Sequence, residues 1–145
     1  MTSSPPRVSA KERSWRDADR LLLAAISLQA LVALALGWHW GQLGLALPGA
    51  LLLLGLAFAA HLVAGGRALS AHVQAVVVMA MVALHIQLAR GMLELHFGVF
   101  VALAFLMAYR NWAPIVTGAA VIAVHHVLFD RLQAAGLGVF CVSDA

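Results

Sequence analysis

Histidine is the residue type in this sequence most able to do chemistry. Seven histidines occur in 145 residues, in a chain otherwise dominated by Leu, Ala and Val. His85, His96, His125 and His126 stand together with Glu94 inside long apolar stretches. Titratable groups are costly there and therefore informative. Neutral imidazole is a common ligand for zinc, copper and iron, haem iron included, and a carboxylate can complete such a set. Met81 and Met92 each precede a histidine by four residues, His85 and His96. Thioethers would suit Cu(I), although methionine in an apolar helix more often serves packing. His126 and Asp130 are also four apart, so the carboxylate is placed to orient that imidazole, as outer groups orient metal-bound histidines. Adjacent His125 and His126 would point about 100° apart on a helix, so a single ion would not take both equally. The competing interpretation is four separate histidines, each hydrogen-bonded to a neighbouring helix.

Other chemistries find little support. Cys141 is the only cysteine, so neither an internal disulfide nor a cysteine-based zinc site can form. There is no serine-nucleophile motif, P-loop or glycine-rich dinucleotide fingerprint. The bare His125–His126 pair is not the set of HxxxH and HxxHH boxes that membrane desaturases and hydroxylases use. No enzymatic activity is expected. His61 and His72 fall at the same end of neighbouring segments and could pair, with interfacial hydrogen bonding the simpler alternative. His39 is expected to be solvated and Cys141 incidental.

The elements that must position these groups are membrane helices. The chain is 63% hydrophobic and only 10% charged, with a mean hydropathy of +0.95. A soluble domain averages roughly a quarter charged residues, and a chain this short has too much surface to hide so much apolar side chain in water. Five segments approach the roughly 20 residues a span needs: Leu21–Trp40, Leu43–Ala64, Ala68–Ala89, Met92–Ala108 and Ala113–Ala135. Helices follow, because lipid leaves no partner for an open backbone. The fold class is all-α, a polytopic transmembrane helix bundle of about five spans. Residues 1–20 form a loose basic tail, residues 21–135 the membrane domain, and residues 136–145 a short tail on the far side. A secretory signal peptide is a consideration, because a basic stretch precedes an apolar run, but the bulky Trp38-His39-Trp40 after that run make a poor cleavage site, and four more apolar segments follow.

Orientation comes from the basic residues. With the N-terminus inside, Arg7, Lys11, Arg13, Arg16, Arg20, Arg67 and Arg110 lie inside and only Arg90 and Arg131 outside, a strong positive-inside bias. That clustering reads as a topology signal, and no nucleic-acid partner is expected. The short turns at Arg90–Gly91 and Arg110–Trp112 make neighbouring helices antiparallel. His85, Glu94, His96, His125 and His126 then share one depth, roughly 4–8 Å from the outer turns. On the third span Gln74, Met81 and His85 share a stripe. On the fifth, Gly118 shares the face of His125.

The stretch from His85 to Phe140 resembles the membrane sensory region of certain bacterial methyl-accepting chemotaxis proteins. The resemblance rests on Glu94, His96, Phe97 and Phe100, on Tyr109-Arg110-Asn111-Trp112, and on His125-His126 and Phe129. It covers roughly the last 60 residues well, and the first 80 mainly in hydropathy and in the Arg20 start of the first span. The same region is also similar to the membrane input of some diguanylate cyclases and sensor kinases. Those families place six membrane helices before a cytoplasmic output module. The resemblance therefore implies a sixth helix beyond this chain, which is expected to be a fragment, a truncated product or a stand-alone sensor-like module. Chemotaxis kinase and adaptor are partners only where a cytoplasmic module follows. The other expected partners are the lipid bilayer and further copies of the chain in a homo-oligomer, in a bacterial inner membrane.

Three expectations result. The first is a chemoreceptor-like sensory domain whose His/Glu cluster (His85, Glu94, His96, His125, His126) binds a transition metal (Cu, Zn or Fe), haem or a redox-active ligand. The second is a small b-type cytochrome with His85 and His125 or His126 as axial ligands. The third is a structural membrane protein without a ligand.

Overall fold

Helix formation starts with a local signal. In the computed structural model, which describes residues 9–142, Ser9 and Glu12 form a capping box. The Ser9 hydroxyl accepts from the Glu12 N–H at 3.1 Å, and the Glu12 carboxylate accepts from the Ser9 N–H at 3.0 Å. Two of the otherwise orphaned donors at the helix start are thereby satisfied. Helix α1 runs Ala10–His39. Residues 10–20, expected as part of a loose tail, are therefore helical. Trp15, Ala18, Asp19, Leu22, Leu23 and Ile26 recur at separations of three and four and are all buried. That stripe holds the extension against the bundle.

Helices α2 (Leu43–Ala64), α3 (Ala68–Leu88), α4 (Leu93–Leu106) and α5 (Trp112–Ala134) follow, with a 3₁₀ turn over Met107–Tyr109 closing α4. The connections reverse the chain tightly. Arg90 and Gly91 have positive φ of 53° and 78°, and Arg110 has 51°. Asn111 caps α5 by accepting from the Ala113 N–H at 2.9 Å. Pro114 sits in the first turn of α5, where its missing N–H would have had no helical partner. The described residues are helices, turns and irregular backbone, without strands.

Four helices, α1, α2, α3 and α5, are long and apolar enough to cross a membrane. The expected span over Met92–Ala108 is the shorter apolar helix Leu93–Tyr109. At 1.5 Å per residue it extends about 25 Å, less than the ~30 Å hydrocarbon core. The exterior suits lipid: Leu28, Leu51, Leu62, Phe97, Phe100 and Val124 are exposed despite their apolar side chains.

Helix α3 is the centre and packs on the other four helices. Gln74, Met81 and His85 all lie on its buried surface, as their spacing predicts. Polar side chains bind it to each long neighbour. Ser70 donates to Asp19 of α1 at 2.9 Å, and Gln74 donates to the Ala57 carbonyl of α2 at 2.9 Å. His72 meets Thr117 of α5 at 2.8 Å, and His85 donates to the Gln29 carbonyl of α1 at 2.8 Å. Gly118 faces α3 and α4. A Cβ there would lie 2.8 Å from Leu106 and 3.3 Å from Met79, so the missing side chain permits close helix approach.

Candidate functional site

The alternation of helices sends His85, the start of α4 and the second half of α5 to one end of the bundle, opposite the start of α1. At that end the histidines divide into two groups. His85 turns toward α1, where its Nε2–H donates to the Gln29 carbonyl. His96, His126 and His125 form a row from α4 to α5. Ring centroids of His96 and His126 lie 5.4 Å apart, and those of His125 and His126 lie 5.6 Å apart. His125 continues the row onto Phe129 at 4.1 Å.

Three of the six ring nitrogens in this row face backbone carbonyls. His126 Nδ1 faces the Ile122 carbonyl at 2.9 Å, so its own helix fills the orienting role expected of Asp130. His96 Nδ1 faces the Met92 carbonyl at 3.1 Å, and its Nε2 faces the Cys141 carbonyl at 2.9 Å. The segment after α5 is thereby attached to the row. Its Phe140 N–H donates to Gln87 at 2.8 Å, and its Cys141 N–H donates to Gln133 at 2.7 Å. Cys141 is buried at 4% exposure. Burial and then the charge of Asp130 push its thiol above the usual range. Glu94 is exposed in the first turn of α4, where a carboxylate complements the helix dipole.

This geometry corrects the five-group metal centre. Among the described residues no group of three or more His, Cys, Asp or Glu side chains is placed to hold a metal ion. Equal depth is not equal direction: His85 points from α3 to α1, while His126 faces His96 of α4 and His125 faces the side where α2 packs. The bis-histidine haem arrangement meets the same obstacle. It needs the Nε2 of His85 free toward α5, and that nitrogen is committed to Gln29.

His125 differs from its neighbours. Its Nε2 is closed off from solvent and has no hydrogen-bond partner. The residue lines a lateral pocket of about 410 Å³ between α2, α3 and α5, together with Gly49, Leu53, Leu84, Gln87, Val121 and Phe129 among others.

The other end of the bundle holds a polar knot that the sequence pattern did not reveal. Asp19 is completely buried. Its carboxylate accepts from the Tyr109 hydroxyl at 2.5 Å, the Ser70 hydroxyl at 2.9 Å and the Gly66 N–H at 2.9 Å, with His61 Nδ1 at 3.4 Å. Trp15 packs edge-on to Tyr109 with centroids 5.8 Å apart, and Arg16 donates to the Gly65 carbonyl at 2.9 Å. Gly66 has φ +83°, and a Cβ on it would lie 2.5 Å from the Glu12 carbonyl oxygen. His61 and His72, expected as a possible pair, anchor to Asp19 and Thr117 instead. The signal for Asp19 was present: it falls on the Trp15–Leu22–Ile26 stripe, an acid on an apolar face. The basic residues around it made the segment look like a solvated tail.

Compared with known proteins, the chain gives no significant match to any family model, curated protein or solved structure.

Proposed function

We propose that the chain is the sensory membrane domain of a chemoreceptor-like protein of a bacterial inner membrane. It transmits a signal and catalyses nothing itself. Its N-terminus is cytoplasmic, in keeping with the distribution of Arg and Lys. One observation carries this reading. Helix α3 is hydrogen-bonded to α1 twice, through His85–Gln29 near the histidine end and through Ser70–Asp19 at the other. A stimulus that favours one position of α3 at the histidine end would bias the start of α1. Coupling of this kind needs only a ligand with different affinities for two helix arrangements. The sequence resemblance to chemotaxis sensory regions points the same way. Lipid and further copies of the chain are the proposed partners, with kinase and adaptor engaged where a cytoplasmic module follows.

The test is genetic. In the source bacterium, replacing the gene with a His85→Leu, Ser70→Ala version should abolish one gradient response and leave swimming speed unchanged. A strain with the gene deleted that keeps every gradient response overturns the reading. Reporter fusions after Arg67 and Arg110 should read cytoplasmic.

A further inference from the structure

The pocket between α2, α3 and α5 opens sideways, on a surface that suits lipid. Its wall is apolar apart from Gln87 and His125. An occupant must therefore enter from the bilayer and be lipophilic. Its volume of about 410 Å³ is within the range of small-molecule sites, about 300–1,000 Å³.

Three features narrow the occupant further. The first is a missing partner: the Nε2 of His125 is shielded from water and unpaired, and a turn of the ring toward the pocket would offer it to a ligand oxygen. The second is depth. His125 lies five residues before the exposed Asp130, roughly 7–8 Å along the axis, among the apolar residues of α5. A ligand oxygen at that depth belongs to a weakly polar head that sinks among the acyl chains. The third is shape. The His125 and Phe129 rings, 4.1 Å apart and tilted by 42°, offer aromatic surface to a flat ring. The pocket then runs from Gln87 and Phe129 toward Ala80, Leu53 and Val121, leaving an apolar path for a tail.

We propose that this pocket binds an isoprenoid quinone of the membrane. A ring carbonyl accepts from His125, the ring lies against Phe129, and the tail follows α2 and α5. Gln87 is held by Phe140 of the C-terminal segment, so the head of the quinone adjoins the segment that also binds His96. Binding rests on the pocket alone. Only its meaning as a stimulus rests on the sensory reading above, so the binding assay and the gradient response can fail separately.

The test uses the full chain in vesicles of phosphatidylethanolamine and phosphatidylglycerol, with a radiolabelled benzoquinone carrying a ten-carbon tail. Saturable retention above that of empty vesicles is expected. Gly49→Leu would drive Leu84, whose Cδ2 already lies 3.2 Å from a Cβ at that position, into the pocket. Val121→Trp fills it from the opposite wall. Each should weaken binding at least tenfold, and either variant that stays helical decides the point. His125→Phe should weaken binding similarly, while His125→Gln, which keeps an N–H donor, should retain most of it. Retention no greater than in empty vesicles overturns the proposal, as does unchanged binding in the filled variants. Competition by a ten-carbon phosphocholine as strong as that by unlabelled quinone also overturns it, and assigns the pocket to a lipid chain.

Discussion

The two ends of the bundle use polar side chains in opposite ways. At the end where α1 starts, one carboxylate collects three donors from three other segments, with a fourth at the edge of reach, and is wholly buried. At the other end, three imidazoles form a row through His126, place three of their six nitrogens against backbone carbonyls, and leave one buried nitrogen unpaired. A fully satisfied buried network fixes a single arrangement, whereas a partly satisfied one retains alternatives. The first end holds helices in place, and the second leaves a buried ring nitrogen without a partner.

The largest expected effect tests the rigid end. Asp19→Leu would leave the donors of Ser70, Tyr109 and Gly66 buried without an acceptor. Breaking a buried charged network costs about 3–5 kcal/mol, so unfolding in mixed detergent should move to much lower denaturant. If His126→Ala shifted it equally, the contrast between the ends would disappear. Gly66→Ala is next, at about 2 kcal/mol, because L side chains disfavour positive φ and the Cβ would meet the Glu12 carbonyl. Tyr109→Phe removes one hydrogen bond to a charged group, about 1.5–3 kcal/mol, with the Trp15 packing kept.

Effects at the histidine end should be smaller in stability and clearer in local exposure. His85→Ala should cost about 0.6 kcal/mol, a typical interhelical hydrogen bond. His96→Ala should barely change global unfolding but release the segment around Cys141. Its maleimide labelling should then speed up several-fold at neutral pH, because water lowers a thiol pKa that burial had raised. In the unaltered protein, labelling should stay slow at neutral pH and accelerate only as the medium becomes more alkaline. Equal labelling of both proteins would show that His96 does not hold the segment.

What the sequence determined by itself was the class of solvent and the period of the chain. Apolar runs of about 20 residues admit only helices in lipid, so four of the five segments were legible within a few residues, while the first helix begins at Ala10 and not at the expected Leu21. The buried stripe of Gln74, Met81 and His85 follows from the helical repeat alone. Depth was legible too, because rise per residue and tight turns set it. Direction around each helix was not. Whether His85 faced α1 or α5 depended on which neighbour packed on which side of α3, and that is settled by contacts between residues distant in sequence. For the same reason the role of Asp19 was only half legible: its place on the apolar stripe of α1 was visible, but what it meets there was not. Its partners, Gly66, Ser70 and Tyr109, lie 47, 51 and 90 positions away, and only the closed bundle brings their donors to one carboxylate.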